Sequence, residues 1–245
     1  MTQHFGLPRP RFYVTEPQPC PYLEGRLERK VFTPLHGEAA AMLNDELSLN
    51  GFRRSQKVAY KPQCAGCDAC VSVRVPVARF TPTRTQRKIL NRNSGFLRES
   101  RPPRATEEQY ELFRRYLQAR HHDGAMADMD DYEFAAMIED TTVRSRMVEY
   151  RDPEDGSLLA ACLTDGLADG LSMVYSFYDP DRPEASLGAY AVLDHIRLAG
   201  EEGLPHVYLG YWIEGSRKMS YKTAYQPLEL LTPFGWRPWT PPAAP

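Results

Sequence analysis

Three cysteines, Cys64, Cys67 and Cys70, stand in a C-x-x-C-x-x-C run, and Cys20 lies upstream as a possible fourth donor. Two-residue spacing lets neighbouring thiolates turn toward one ion, about 2.3 Å from a tetrahedral zinc. The same spacing serves iron–sulfur clusters. Gly66 relieves the backbone between the first two. The plainer alternative is that these cysteines are structural. No second C-x-x-C is present, which disfavours a nucleic-acid-binding zinc ribbon. Cys162 falls in an apolar run and reads as an inert core thiol.

A second place for chemistry is Ser186-Leu187-Gly188, between the polar stretch 179–183 and a strong helical pattern. Backbone N–H groups at a helix N-terminus favour an anion or a developing oxyanion. The alternative is that Ser186 merely caps the helix. The pair His121-His122 reads as a surface feature, because adjacent helical residues do not share a face. Aromatics crowd this half of the chain, among them Tyr175, Tyr178, Tyr190, Tyr208, Tyr211 and Trp212. Most belong in a core, and those on the other side of a sheet can stack on a nucleobase.

The elements that must position these groups follow from periodicity. Residues 36–49, 84–94, 106–120, 130–139 and 187–201 read as helices, and Gly51 stops the first of them. Residues 52–60, 71–77, 143–150, 157–165, 171–178 and 207–212 read as strands, with Asp-Gly turns at 155–156, 165–166 and 169–170. The order predicts an α+β fold with a mostly antiparallel sheet, and the helix-to-strand crossover near 201–207 predicts one parallel pair. Pro102-Pro103-Arg104 is the expected boundary between a domain of residues 1–104 and one of 105–238, with a disordered tail at 239–245.

The chain has 245 residues and a formal net charge of −2, a sum that by itself speaks against a nucleic-acid partner. That sum hides a polarised distribution. Residues 51–104 carry 13 basic and two acidic side chains, whereas residues 105–205 carry eight basic and 22 acidic ones. A dense basic block is a phosphate footprint, or else a basic domain docked on an acidic one. There is no apolar run long enough for a transmembrane helix, and residues 1–10 lack the pattern of a signal peptide.

Several long strings together resemble a known family. They include 12–23 (FYVTEPQPCPYL), 51–55 (GFRRS), 60–62 (YKP), 64–70 (CAGCDAC), 83–88 (TRTQRK), 175–180 (YSFYDP), 186–188 (SLG), 208–213 (YLGYWI) and 216–222 (SRKMSYK). They resemble the aspartate/glutamate leucyltransferases, the bacterial branch of the arginyl-tRNA–protein transferase family, over about residues 10–237. The resemblance implies a cytoplasmic aminoacyltransferase of the N-degron pathway. Such an enzyme moves leucine, or in the eukaryotic branch arginine, from its tRNA to proteins that begin with Asp or Glu. It also implies an N-acetyltransferase-like (GNAT) second domain behind a basic, cysteine-containing N-terminal one. In some family members the N-terminal cysteines hold an iron–sulfur cluster, for which Cys20, Cys64, Cys67 and Cys70 are the matching donors here.

The implied reaction is aminolysis of an ester that is already activated, so no cofactor is required. An α-amine titrates near 7.7–8.0, so the enzyme's main work is positioning and stabilising an oxyanion. Tyr175, Ser186, Gly188 and Tyr211 are the expected catalytic-site residues. Acidic acceptors call for cations, and Arg53, Arg54, Lys57, Lys218 and Lys222 are the candidates, with Arg54 or Lys222 reading the acidic side chain. Tyr60, Arg84, Tyr178 and Tyr221 complete the expected substrate-binding set. The alternatives are a coenzyme A-dependent N-acetyltransferase, disfavoured because no Gly-rich pyrophosphate loop precedes the 187–201 helix, and a non-catalytic, metal-bearing tRNA-binding protein.

Overall fold

The computed structural model describes residues 10–122, 124 and 126–240. Strands β1 (Tyr13–Val14), β2 (Gln18–Pro19), β3 (Leu27–Glu28) and β4 (Lys30–Pro34) lead into helix α1 (Ala40–Leu49). Gly51 ends that helix with φ +85°, a conformation that costs glycine nothing. The hairpin of β5 (Arg53–Ser55) and β6 (Val58–Pro62) then completes a small antiparallel sheet ordered β1-β4-β6-β5, with β2 and β3 paired separately.

Next come β7 (Val71–Pro76), helix α2 (Arg84–Arg92), β8 (Leu97–Arg101), and helices α3 (Glu107–Arg120) and α4 (Asp131–Glu139). All three helices begin with a capping box: Thr83 with Gln86, Thr106 with Gln109, and Asp130 with Glu133. Each box satisfies two backbone donors that the first turn would leave unpaired. The chain finishes with β9 (Ser145–Arg151), β10 (Leu158–Leu167), β11 (Gly170–Tyr178), α5 (Leu187–Glu201), β12 (His206–Trp212), β13 (Glu229–Thr232) and β14 (Gly235–Pro238).

One eight-stranded sheet, ordered β14-β13-β7-β12-β11-β10-β9-β8, organises the molecule. All its neighbours are antiparallel except β11 and β12, which α5 joins by a crossover. The fold is therefore α+β with a mostly antiparallel sheet and one parallel pair, as the element order predicts. Both β7 and β8 come from before residue 104, so the Pro102–Arg104 stretch divides the sequence while the sheet runs across it.

On one face, Val73, Val75, Leu171 and Leu209 pack under Tyr190, Leu193 and Ile196 of α5. On the other, Met147, Leu163 and Phe177 meet Phe113 and Leu117 of α3 and Phe134 and Ile138 of α4. The central strand β10 is covered on both sides, which explains its unbroken apolar run 158–163.

Three expectations are corrected. The stretch 52–60 is not one strand: it turns back at Gln56-Lys57, where Gln56 takes a positive φ, and forms the β5–β6 hairpin. Asp165-Gly166 is not a turn: it lies inside β10, and the chain reverses at 168–169 instead. Asp165 can occupy a strand because Arg54 neutralises it there. Trp239 is not part of a loose tail, since its N–H bonds the Leu228 carbonyl at 2.7 Å and its ring packs against Trp212. Residues 241–245 of the expected tail, and residues 1–9, lie outside the described residues.

Candidate active site

The parallel pair opens almost as soon as it forms. Gly170, Leu171 and Ser172 face His206, Val207 and Tyr208, and beyond these residues the strands no longer pair. Each strand carries a bulge where they part. Against β10, the register of β11 skips Val174, and against β7, the register of β12 skips Leu209. Bulges bend a strand and leave backbone groups unpaired, so the two strands splay into a wedge.

Arg53 of β5 fills the throat of this wedge. Its Nη2 donates to the carbonyls of Met173 at 2.8 Å and Val174 at 3.0 Å. Gly210, with φ +78°, makes the passage: a β-carbon there would coincide with the Arg53 guanidinium. An isolated glycine inside an aromatic strand is the sequence signal for such a close approach. Sequence reasoning passed over this glycine.

Lys222 enters from the short turn Ser220–Ala224. It is 4% exposed, and its Nζ donates to the Tyr211 carbonyl of β12 at 2.5 Å. Burial, aided by the nearby Arg53 guanidinium, lowers its pKa to about 7. Neither buried Lys222 nor half-buried Arg53 has a carboxylate partner among the described residues, whereas the buried arginines do. Arg54 pairs with Asp165, and Arg74 with Glu229 and Asp169. A buried lysine beside a half-buried arginine, neither with a carboxylate partner among the described residues, forms a site that an anion completes.

The remaining expected residues divide. Arg54 cannot read a substrate, because its Nε and Nη2 bind both oxygens of Asp165 at 2.6 and 2.8 Å, with both side chains 1% exposed. Arg53 and Arg54 are consecutive on a strand and must face opposite sides. Tyr211 is buried, and its hydroxyl donates to the Gly51 and Tyr60 carbonyls, so it braces the small sheet against the wedge. Tyr60 lies edge-on to it. Tyr175 packs on Phe113, and burial raises its pKa to about 12.

Tyr178 ends β11 with its ring against Gly188, where a β-carbon would come 2.8 Å from the ring. Ser186 is not a side-chain cap: it takes the left-handed conformation at φ +53°, and its side chain accepts no cap bond. Tyr221 is half exposed beside Lys222, at 5.7 Å from ring centroid to Nζ. Arg84 and Lys218 are exposed on the surface.

The cysteine loop backs onto the same region. Tyr22 lies close to Tyr60, Arg53 and Cys70, and burial followed by Tyr60 pushes its pKa up to about 12. Cys70 is raised to about 12, first by burial and then by Cys20, Cys64 and Cys67, so the four thiols sit in one neighbourhood. As donors they suit zinc or an iron–sulfur cluster. Among the described residues no three His, Cys, Asp or Glu groups are placed to hold one ion. Cys162 is fully buried, and burial lifts it to about 12, as an inert core thiol should be.

The family model for the N terminus of arginine-tRNA-protein transferases matches residues 18–88, and the model for their C terminus matches residues 108–232. The chain is 62% identical to the aspartate/glutamate leucyltransferase of Cereibacter sphaeroides, over 93% of this chain and 83% of that one. It is 59% identical to the protein of the same name from Parvibaculum lavamentivorans, over 93% of this chain and 94% of that one. Among solved structures it is similar to L-PGS from Bacillus licheniformis, with a TM-score of 0.47, 13% identity, and coverage of 59% of this chain and 46% of that one. With identity that high over nearly its whole length, the chain belongs to the arginine-tRNA-protein transferase family.

Proposed function

We propose that this chain transfers leucine, with arginine as the second candidate, from its tRNA to the N-terminal α-amine of proteins beginning with Asp or Glu. In the cytoplasm the product would be marked for degradation. The observation that carries this reading is the pair of basic side chains without a carboxylate partner among the described residues, Arg53 and Lys222, in the wedge between β11 and β12. An acidic side chain entering there supplies the missing counter-ion, and the charge-assisted bonds are stronger than neutral ones.

The chemistry needs little more than placement. The neutral α-amine attacks the aminoacyl carbonyl, the ester C–O bond breaks, and the ribose hydroxyl leaves with a proton. Arg53 keeps donors on Nε and Nη1 beyond the two bonds made by Nη2. These suit a carboxylate or a developing oxyanion. Aligning amine and ester in one cleft removes much of the entropic barrier. No step runs through the cysteine loop.

For the tRNA, α2 is the proposed entry surface. Arg84, Arg87 and Lys88 are exposed on it, while buried Gln86 donates to the Ala224 carbonyl at 2.9 Å. That bond ties the basic helix to the turn carrying Lys222, so a backbone held on α2 leads its 3′ end to the wedge. Replacing Arg84 and Lys88 by Gln is expected to weaken tRNA binding. It should also make the slope of log affinity against log salt shallower, by about one for each charge removed. A salt-independent affinity in the unaltered chain would contradict this placement.

The function is tested with purified protein, an Asp-initiated peptide, and labelled leucyl-tRNA, arginyl-tRNA or acetyl-coenzyme A. Transfer from leucyl-tRNA is expected. Transfer from acetyl-coenzyme A alone, or from none of the three, overturns the reading.

A further inference from the structure

Lys222 poses a problem that the acidic seat alone does not explain. It is buried among groups that offer it no negative charge. Arg53 faces it from β5, Tyr211 from β12, and Tyr221 from its own turn, with Tyr178 of β11 next to Tyr221. None of these is a carboxylate. A lysine in such a place favours the neutral amine, a form that holds an open lone pair. The acceptor arrives with the opposite difficulty: at neutral pH its α-nitrogen is mostly an ammonium, and only the amine can attack.

We infer that Lys222 takes the proton which the acceptor's α-ammonium must shed, and that the acceptor's own Asp or Glu carboxylate holds Lys222 in the ammonium form it thereby acquires. The inference rests on the function proposed above and assigns that site a further role. The proton moves from the α-nitrogen to Nζ, and the freed lone pair forms the new C–N bond. The attacking nitrogen's surplus proton goes to the departing ribose oxygen, and Lys222 returns its proton to solvent after product leaves. The acidic first residue then does more than bind. It compensates the charge that proton transfer creates, so an acceptor lacking it also lacks an activated amine.

Lys222's lowered pKa, near 7, places this exchange within reach of an α-amine titrating near 7.7–8.0. The productive complex then carries one proton shared between Lys222 and the α-amine. It forms best between their two pKa values, so kcat/KM should rise and fall with pH.

The test is the pH profile of kcat/KM from pH 6 to 10, with Asp-initiated and isosteric Asn-initiated peptides, for the unaltered chain and for Lys222→Arg. Arginine keeps the cation but cannot receive a proton. For the Asp peptide the unaltered chain should give a bell. Lys222→Arg should lose about tenfold at pH 7, because only about one α-amine in ten is neutral there. It should then climb steadily through pH 8 and recover, a change of shape that mere misfitting would not produce. The Asn peptide on the unaltered chain, which needs no variant, should likewise climb without falling. A monotonic Asp profile that Lys222→Arg leaves unchanged, with acidic preference intact, overturns this inference alone. Failure of the unaltered chain to transfer from either tRNA overturns the proposed function and this inference with it.

Discussion

Gly210→Ala is expected to lower kcat/KM for an Asp-initiated peptide about 100-fold. The added methyl would occupy the position of the Arg53 guanidinium, so the side chain must leave the throat of the wedge. Its two bonds, to the Met173 and Val174 carbonyls, are then lost, and with them one of the two unneutralised cations. Charge-assisted bonds contribute about 1.5–3 kcal/mol each, and about 1.4 kcal/mol is tenfold in rate. Alanine at φ +78° adds roughly 1–2 kcal/mol of backbone strain, which falls on stability. Arg53→Met separates the two effects, because it should reproduce the kinetic loss without the strain. Steady-state kinetics and thermal unfolding of both variants check this. A fully active Gly210→Ala protein would mean that Arg53 has no role in the wedge.

Arg54→Ala is expected to destabilise the fold by about 3–5 kcal/mol, the usual result of orphaning one partner of a buried ion pair. Asp165 would remain buried near the end of β10 with Ser145 as its one remaining side-chain donor among the described residues, at 2.6 Å. For a protein of this size each kcal/mol moves Tm by about 2–4 °C, so a fall of roughly 10 °C is expected. The double variant Arg54→Met with Asp165→Leu should recover most of it, because the apolar pair removes the orphaned charge. Calorimetry or denaturant unfolding reads both. An Arg54→Ala protein as stable as the parent would contradict the description of the pair as a buried clamp. A specific loss of acidic preference without a loss of stability would return Arg54 to the substrate site.

Helices α1–α5 and the strands β7 and β9–β12 are legible because they carry their own period and punctuation, from the Thr106 cap to the unbroken apolar run of β10. Strands β1–β4, β8, β13 and β14 are short or polar and carry no such signal. What the sequence concealed depends on contacts between distant segments. Asp165-Gly166 has the composition of a turn, and it is Arg54, 111 residues away, together with Ser145, that satisfies a carboxylate inside a strand. The wedge depends on bulges at Val174 and Leu209 that lie beside each other only after α5 has crossed over. Neither bulge is written in local composition.

The basic block was read correctly as a concentration of charge but too simply as a footprint. Arg54, Arg74 and Arg98 are spent on internal carboxylates, leaving α2 together with Lys57, Arg79, Arg101 and Arg104 exposed. In the same way, C-x-x-C-x-x-C spacing predicts nearness, which the shared environment of Cys70 bears out. Within the candidate site, strand alternation could have decided between Arg53 and Arg54, since only one of two consecutive strand residues can face the wedge. Gly210 could have shown which.

The most direct measurement is the ratio of kcat/KM for Asp-initiated over Asn-initiated peptides, with leucyl-tRNA as donor, in the unaltered chain and in Arg53→Met. The two acceptors differ by one charge at nearly equal volume. A site that closes on a carboxylate with two otherwise unpaired cations should favour Asp by about 100-fold or more. Removing the guanidinium should cut that preference at least about tenfold while leaving tRNA affinity unchanged. A ratio near one in the unaltered chain, or a strong preference that Arg53→Met leaves intact, would contradict the assignment of the wedge as the seat of the acidic N-terminus.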